Sequence, residues 1–257
     1  MKNRKEYEGK GKGSYMWLDG TKWKVMSCAG KNEWYPQGFR EITNSPGTIH
    51  AVGNLSMVNR SKNIAVVGSR KVSEKGIELA RMAGRVIAEE GYHLVNGLAL
   101  GCDTEAIKGA LQANGKCIGI LPCGLDQILP ESNMELALEI LEKGGCLISE
   151  YPFGTEVKKY HYVERDRLQS AMSQCVLVVE AGIKSGTMYT AKYALQQHRR
   201  LACFINEGLE NMEGNSFLVN NKKAKALHGG EDELRVFFSE GEDGSRFYQM
   251  DLGEFLS

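Results

Sequence analysis

Between residues 63 and 205 the chain alternates short apolar runs with longer stretches whose apolar residues recur at helical spacing. The runs are 63–68 (NIAVVG), 92–96 (YHLVN), 117–122 (CIGILP), 146–151 (CLISEY), 175–181 (CVLVVEA) and 201–205 (LACFI). Between them, 73–90 places Ile77, Ala80, Ala83, Val86 and Ile87 on one face. Residues 103–114 (Ala106, Ala110, Leu111), 133–143 (Met134, Leu136, Ile140, Leu141) and 186–199 (Met188, Ala191, Ala194, Leu195) repeat the pattern. Continuous apolar runs predict strands buried on both faces, and the amphipathic stretches predict the helices that cover them. The expected class is α/β, a doubly wound and mostly parallel sheet. Such sheets bind ligands at the carboxyl ends of their strands, near the point where strand order reverses.

The flanks are less regular. Residues 1–13 are polar and rich in Lys and Gly, the mark of a mobile end. Residues 14–34 alternate in β fashion around Asp19-Gly20, a hairpin turn pair, and carry Trp17, Lys22, Trp23 and Lys24. Pro36 and Ser45-Pro46-Gly47 then divide the chain into short pieces. At the far end, 220–225 is basic, 230–243 is acidic, and the last residues suggest a loose end or a short β extension. The expected organisation is an N-terminal β-hairpin head over 1–50, a main α/β domain over 51–230 and a tail over 231–257.

Composition narrows the class without deciding it. The chain has 257 residues, 32 basic and 32 acidic side chains, and a formal net charge of zero. A nucleic-acid partner is therefore neither required nor excluded, and only a local basic patch would argue for one. No apolar run approaches the roughly 20 residues needed to span a bilayer, and the charged N-terminus has no apolar segment of signal-peptide type. The seven cysteines sit mostly inside apolar runs without CxxC spacing, as buried thiols of a reducing, cytoplasmic compartment would.

The chemistry concentrates at the ends of the strands. Gly68-Ser69-Arg70 follows the first, Asn96-Gly97-Leu98-Ala99-Leu100-Gly101-Cys102-Asp103 the second, and Gly182-Ile183-Lys184-Ser185-Gly186-Thr187 the fifth, with Thr190 one turn on. Each turn alone is an ordinary strand-to-helix connection in which Asp103, Ser185 or Thr187 caps a helix. Together on one sheet edge they would line a crevice of N–H and hydroxyl donors suited to phosphate. Residues 157–169 (VKKYHYVERDRLQ) add Lys158, Lys159, Tyr160, His161, Tyr162, Arg165 and Arg167, a mixture of cations and rings that suits single strands. Glu156, Glu164 and Asp166 dilute that charge, as on a solvated face. Catalytic and metal patterns are missing: the five histidines have no ligand spacing, there is no GxSxG elbow or Walker lysine, and no turn completes GxGxxG. No cofactor and no metal is expected.

Read together, these segments resemble the DprA/Smf family of bacterial DNA-processing proteins. The resemblance runs from about Trp34 to Leu227 through YP…SPGTIHAVGNLS, IAVVGSRKVSEKG, NGLALGCDTEAIKGAL, ILPCGLDQILPESN, LISEYPFGT, YVERDRLQSAMS, VLVVEAGIKSGTMYTAKYAL and GNSFLV. It implies an extended Rossmann-like core carrying a small N-terminal β-like extension. It also implies single-stranded DNA binding without catalysis, a homodimer, and delivery of the strand to RecA recombinase in transformation and homologous recombination. The DNA site it implies comprises Gly68, Ser69, Arg70, Gly97, Lys159, Tyr162, Arg165, Arg167, Ser185, Gly186 and Thr190. The sequence departs from the family pattern at Asn96, Leu100, Cys102, Ile107 and Asp166, where serine, arginine, isoleucine, histidine and asparagine are usual. Counterparts of the family's helical N-terminal and winged-helix-like C-terminal domains are not expected within the sequence. The alternative is a nucleotide sensor or nucleotide-cleaving enzyme similar to the SLOG and LOG proteins, although Thr190 stands where the LOG catalytic glutamate would be.

Overall fold

The computed structural model describes residues 23–58 and 62–240. The strands are β1 (Met26–Ala29), β2 (Thr48–Gly53), β3 (Asn63–Val67), β4 (His93–Asn96), β5 (Lys116–Leu121), β6 (Cys146–Ser149), β7 (Cys175–Val178), β8 (Arg200–Phe204) and β9 (Lys225–Leu227). The helices are α1 (Gln37–Arg40), α2 (Glu74–Glu89), α3 (Cys102–Gln112), α4 (Met134–Glu142), α5 (Lys159–Met172), α6 (Thr187–Gln196), α7 (Glu213–Asn220) and α8 (Glu231–Ser239). The described strands form one sheet in the order β1-β2-β6-β5-β4-β3-β7-β8-β9. From β6 through to β9 every neighbour is parallel, and β2 and β1 add an antiparallel edge beyond β6.

The doubly wound arrangement follows from β3, where all five residues are buried. Ile64 and Val66 point into one apolar cluster, and Ala65 and Val67 into the other, as successive side chains of a strand must. Helices α2, α3, α4 and α8 supply the first cluster, and α1, α5, α6 and α7 the second. The expected helices over 73–90, 103–114, 133–143 and 186–199 are present within a few residues. Ser73 is the cap of α2, its Oγ accepting from Gly76 N at 3.1 Å.

The structure adds elements that periodicity did not pick out. From the sequence, helix α5 shows only a basic and aromatic stretch, because its buried residues include Arg165, Asp166, Arg167, Gln169 and Ser170. A helix that buries polar groups shows no apolar stripe. The acidic stretch assigned to a tail contains α8, whose Leu234, Phe237 and Phe238 are buried. Its acidic first turn suits a helix N-terminus, and Glu231 accepts from Arg85 of α2 at 2.5 Å. The Asp19-Gly20 turn, Trp17, Lys22, the first arm of the expected hairpin and the last residues of the chain lie outside the described residues. The second arm contains β1, which pairs with β2. The expected boundary at 50/51 falls inside β2, and the one at 230/231 falls where α8 begins. All seven cysteines are buried thiols. Among the described residues no helix is long and apolar enough to cross a membrane, and no cluster of three or more His, Cys, Asp or Glu is placed to hold a metal.

Candidate functional site

Strand order reverses between β3 and β7. From β3 the chain builds outward through β4, β5 and β6, then returns to lay β7 on the other side of β3. At the carboxyl ends of these two strands lies a cleft of about 740 Å³. Gly68, Ser69, Arg70, Tyr162, Arg165, Ser185, Gly186 and Thr190, all expected from the sequence, line it. The loops after β3 and β7 are tied together, Ser69 N donating to Glu180 O at 2.7 Å. The Glu180 carboxylate, fully buried, accepts from Ser73 N, Ser73 Oγ, Asn211 N and Asn211 Nδ2 at 2.7–3.1 Å. It thereby fixes the start of α2 and the loop ahead of α7 as the cleft's far wall. Four donated hydrogen bonds leave this carboxylate a positioning group.

The floor is built on α5. Arg165 is buried, with Nε 3.6 Å from Asp166 Oδ1, and its charge also acts on Asp103. A Cβ at Gly97 would lie 1.3 Å from Arg165 Nη1, so the glycine makes the space that the guanidinium fills. Gly97 is therefore beneath the cleft and serves it through Arg165. Its N–H donates to Asp103 Oδ2 at 2.9 Å, and Ala99 N donates to the same atom at 3.2 Å. Asp103 thus ties the loop after β4, while the α3 cap itself is Gly101 without a side-chain bond. Asn96 completes the loop, donating to Asp103 O and accepting from Leu98 N.

On the opposite wall no side chain caps α6. The expected cap Ser185 instead keeps a buried Oγ with no hydrogen-bond partner among the described residues. The uncapped helix start and this hydroxyl open on the cleft together, a combination that suits an anion. Arg70 is exposed, its guanidinium carbon 5.0 Å from the centre of the Tyr162 ring, so one face of that ring carries a cation. The hydroxyl of Ser69, expected to face the anion, bonds Lys71 O and Lys71 N instead.

Two expected residues lie elsewhere. Lys159 is an exposed first residue of α5 outside the lining. Arg167 points away from the cleft and holds Glu150 through two bonds, at 2.8 and 2.6 Å, and Asn44 O at 3.2 and 2.9 Å. Of the departures from the family pattern, Leu100 is exposed beside Ala99, Ile107 is buried in the core, and Cys102 packs against Gly68. Burial pushes the Cys102 thiol up, out of the range of a reactive thiolate. The lining also holds Gln169, Asn211 and Asp103 as cleft groups, which sequence reading did not pick out. Gln169 is a neutral residue at the end of the basic stretch and Asn211 belongs to no glycine turn or basic run, and only the crossing of α5 and the α7 approach bring them in.

Burial raises the Asp166 pKa to about 7, with Arg165 and Arg70 opposing and Asp103 adding to the rise; Tyr193 of α6 also faces this carboxylate. The folded protein therefore holds a proton that an unfolded chain releases near its ordinary value of about 4. Stability from this group is fully present at the acid end of the window and falls as pH rises from about 4 to 7. Asparagine cannot ionise. Asp166→Asn is expected to raise Tm at pH 8 and to lose that advantage at pH 5; thermal melts at both pH values check it.

The sequence profile described as DNA recombination-mediator protein A matches residues 27–237. The chain belongs to this family. It is 37% identical to Protein Smf of Escherichia coli over 188 residues, which cover 73% of this chain and 50% of that protein. The chain thus spans about half the length of that relative. A DNA processing protein A structure from Streptococcus pneumoniae superposes with a TM-score of 0.72 at 30% identity, covering 81% of this chain and 73% of the other. The fold is shared too with DNA processing protein A from Helicobacter pylori, described for its unique single-stranded DNA binding mode (TM-score 0.76, 24% identity, 86% of this chain and 98% of the other). The family member in hand carries the mostly parallel sheet that its sequence implied, with the cleft at the reversal of strand order.

Proposed function

We propose that the chain binds single-stranded DNA in this cleft and acts, without catalysis, as a DNA-processing recombination mediator of transformation. The observation that carries the reading is the convergence of Arg70, Tyr162, Arg165 and Ser185 with the uncapped start of α6 in a single cleft. Phosphates would take the Ser185–Thr187 turn and Arg70, and a base would lie against Tyr162. A homodimer in the cytoplasm that hands the strand to RecA recombinase is part of the same proposal, drawn from the family.

An oligonucleotide titration at two salt concentrations tests it. Affinity is expected to fall steeply with salt. Arg70→Ala is expected to weaken every sequence alike and to reduce the slope of log K against log salt by about 1. Absence of binding at low salt would sink the reading. One observation favours a second reading, in which the cleft senses a small nucleotide: Asp103 and Asp166 place two buried carboxylates where a polyanion would run. A Tm rise with mononucleotides and none with oligonucleotides would decide for it.

A further inference from the structure

The floor of the cleft holds an unusual set of unmet hydrogen-bonding groups. Arg165 and Gln169 are 4% and 2% exposed, and both line the cleft. Arg165 Nε, a donor that lies 3.6 Å from Asp166 Oδ1, and Gln169 Oε1, an acceptor, are buried without a hydrogen-bond partner among the described residues. Gln169 Nε2 donates to Asp166 Oδ1 at 2.8 Å, and the amide oxygen is the atom left over. Asp166 contributes the second acceptor, because Oδ1 takes the bond from Gln169 while no described residue donates to Oδ2. Buried polar atoms without partners are rare and costly in folded proteins, and two on one floor, beside a carboxylate oxygen that no described residue bonds, point to a ligand that completes them.

We infer that this floor reads an unpaired guanine, with Arg165 donating to the base oxygen O6 and Asp166 and Gln169 accepting from N1–H and the N2 amino group. The inference rests on the reading of the cleft as a single-strand site and names the base it prefers. The floor offers the N–H donors of Arg165 and two acceptors. Among the bases only the Watson–Crick edge of guanine offers two donors beside an acceptor. Thymine and cytosine each present two acceptors and one donor, so they leave a floor acceptor facing a lone pair. Adenine presents one of each and leaves a floor acceptor unmet. Single-stranded bases are read on this edge when they are splayed from the strand, and Tyr162 supplies a ring at the cleft wall on which such a base can stack. Burial disfavours the charged form of Asp166, and an N–H donated by the base would favour it. Asparagine, usual here in the family, has only one acceptor oxygen and would face guanine with an N–H donor.

The test uses the intact chain and fluorescent 20-mers of dT with a single central dG, dA, dC, dT or deoxyinosine, so that four-stranded guanine structures cannot form. The dG strand is expected to bind about tenfold more tightly than all-dT, the discrimination of one good bidentate contact. Deoxyinosine lacks the N2 amino group and is expected to lose most of that gain. Asp166→Asn is expected to bring dG to parity with dT. Equal affinity of wild type for all five strands would overturn the inference and leave the single-strand reading standing. A Tm rise with dGMP but not dTMP, with no strand bound at low salt, would overturn that reading and keep the guanine floor. No response to any strand or to dGMP would overturn both.

Discussion

A Gly97→Ala variant is expected to lose roughly 10- to 100-fold in affinity for single strands, the equivalent of one charge-assisted hydrogen bond of about 1.5–3 kcal/mol. The argument is steric before it is electrostatic. The added Cβ would sit 1.3 Å from Nη1 and 2.1 Å from Cζ of Arg165. Either the guanidinium leaves the floor or the loop after β4 moves, and that loop is held by Asp103 through Gly97 N and Ala99 N. Displacing Arg165 removes the cation that faces Asp103 and Asp166, so the floor becomes net acidic and repels phosphate. Titration with an oligonucleotide at low salt, beside a thermal melt to show that the variant is folded, measures the effect. An unchanged affinity would mean that Arg165 does not contact the strand.

Arg167→Ala is expected to act on stability instead. Arg167 and Glu150 are 10% and 13% exposed and form a two-pronged pair. Arg167 also closes Asn44 O from the loop between α1 and β2. Removing one partner of a buried ion pair leaves the other charge unmatched, a loss of about 3–5 kcal/mol. For a chain of this size that lowers Tm by roughly 10 °C. Arg167→Lys should recover little, because an ammonium cannot reproduce two parallel bonds to a carboxylate and a further pair to a carbonyl. The folded fraction of either variant should bind a strand as wild type does, since the side chain points out of the cleft. The two arginines lie two residues apart on one helix. That spacing turns them through about 200°, and it sends one to the cleft and the other to Glu150.

Much of this was legible in the chain before folding. The class came from continuous apolar runs, because a parallel strand covered on both faces has no polar side to interrupt it. The cleft's rim came from glycine and hydroxyl turns at strand ends, because those residue types are what close backbone approach requires. Helix α5 was not legible as a helix, because Arg165, Asp166, Gln169 and Ser170 fill its buried positions and hide the period. Helix α8 was hidden for the opposite reason, an acidic first turn ahead of a short apolar stripe.

By itself, then, the sequence determined the doubly wound sheet, its family, and the presence of Gly68, Arg70, Tyr162, Arg165, Ser185 and Thr190 along one sheet edge. Only the tertiary structure decided which groups still have hydrogen bonds to give. Ser69 and Gly97 spend theirs inside the loops, and Arg167 spends its on Glu150. Arg165 Nε, Gln169 Oε1 and Ser185 Oγ, all on cleft-lining residues, have no hydrogen-bond partner among the described residues. Residue type sets what a side chain can bond, and only the positions of its neighbours in space set what is left to bind.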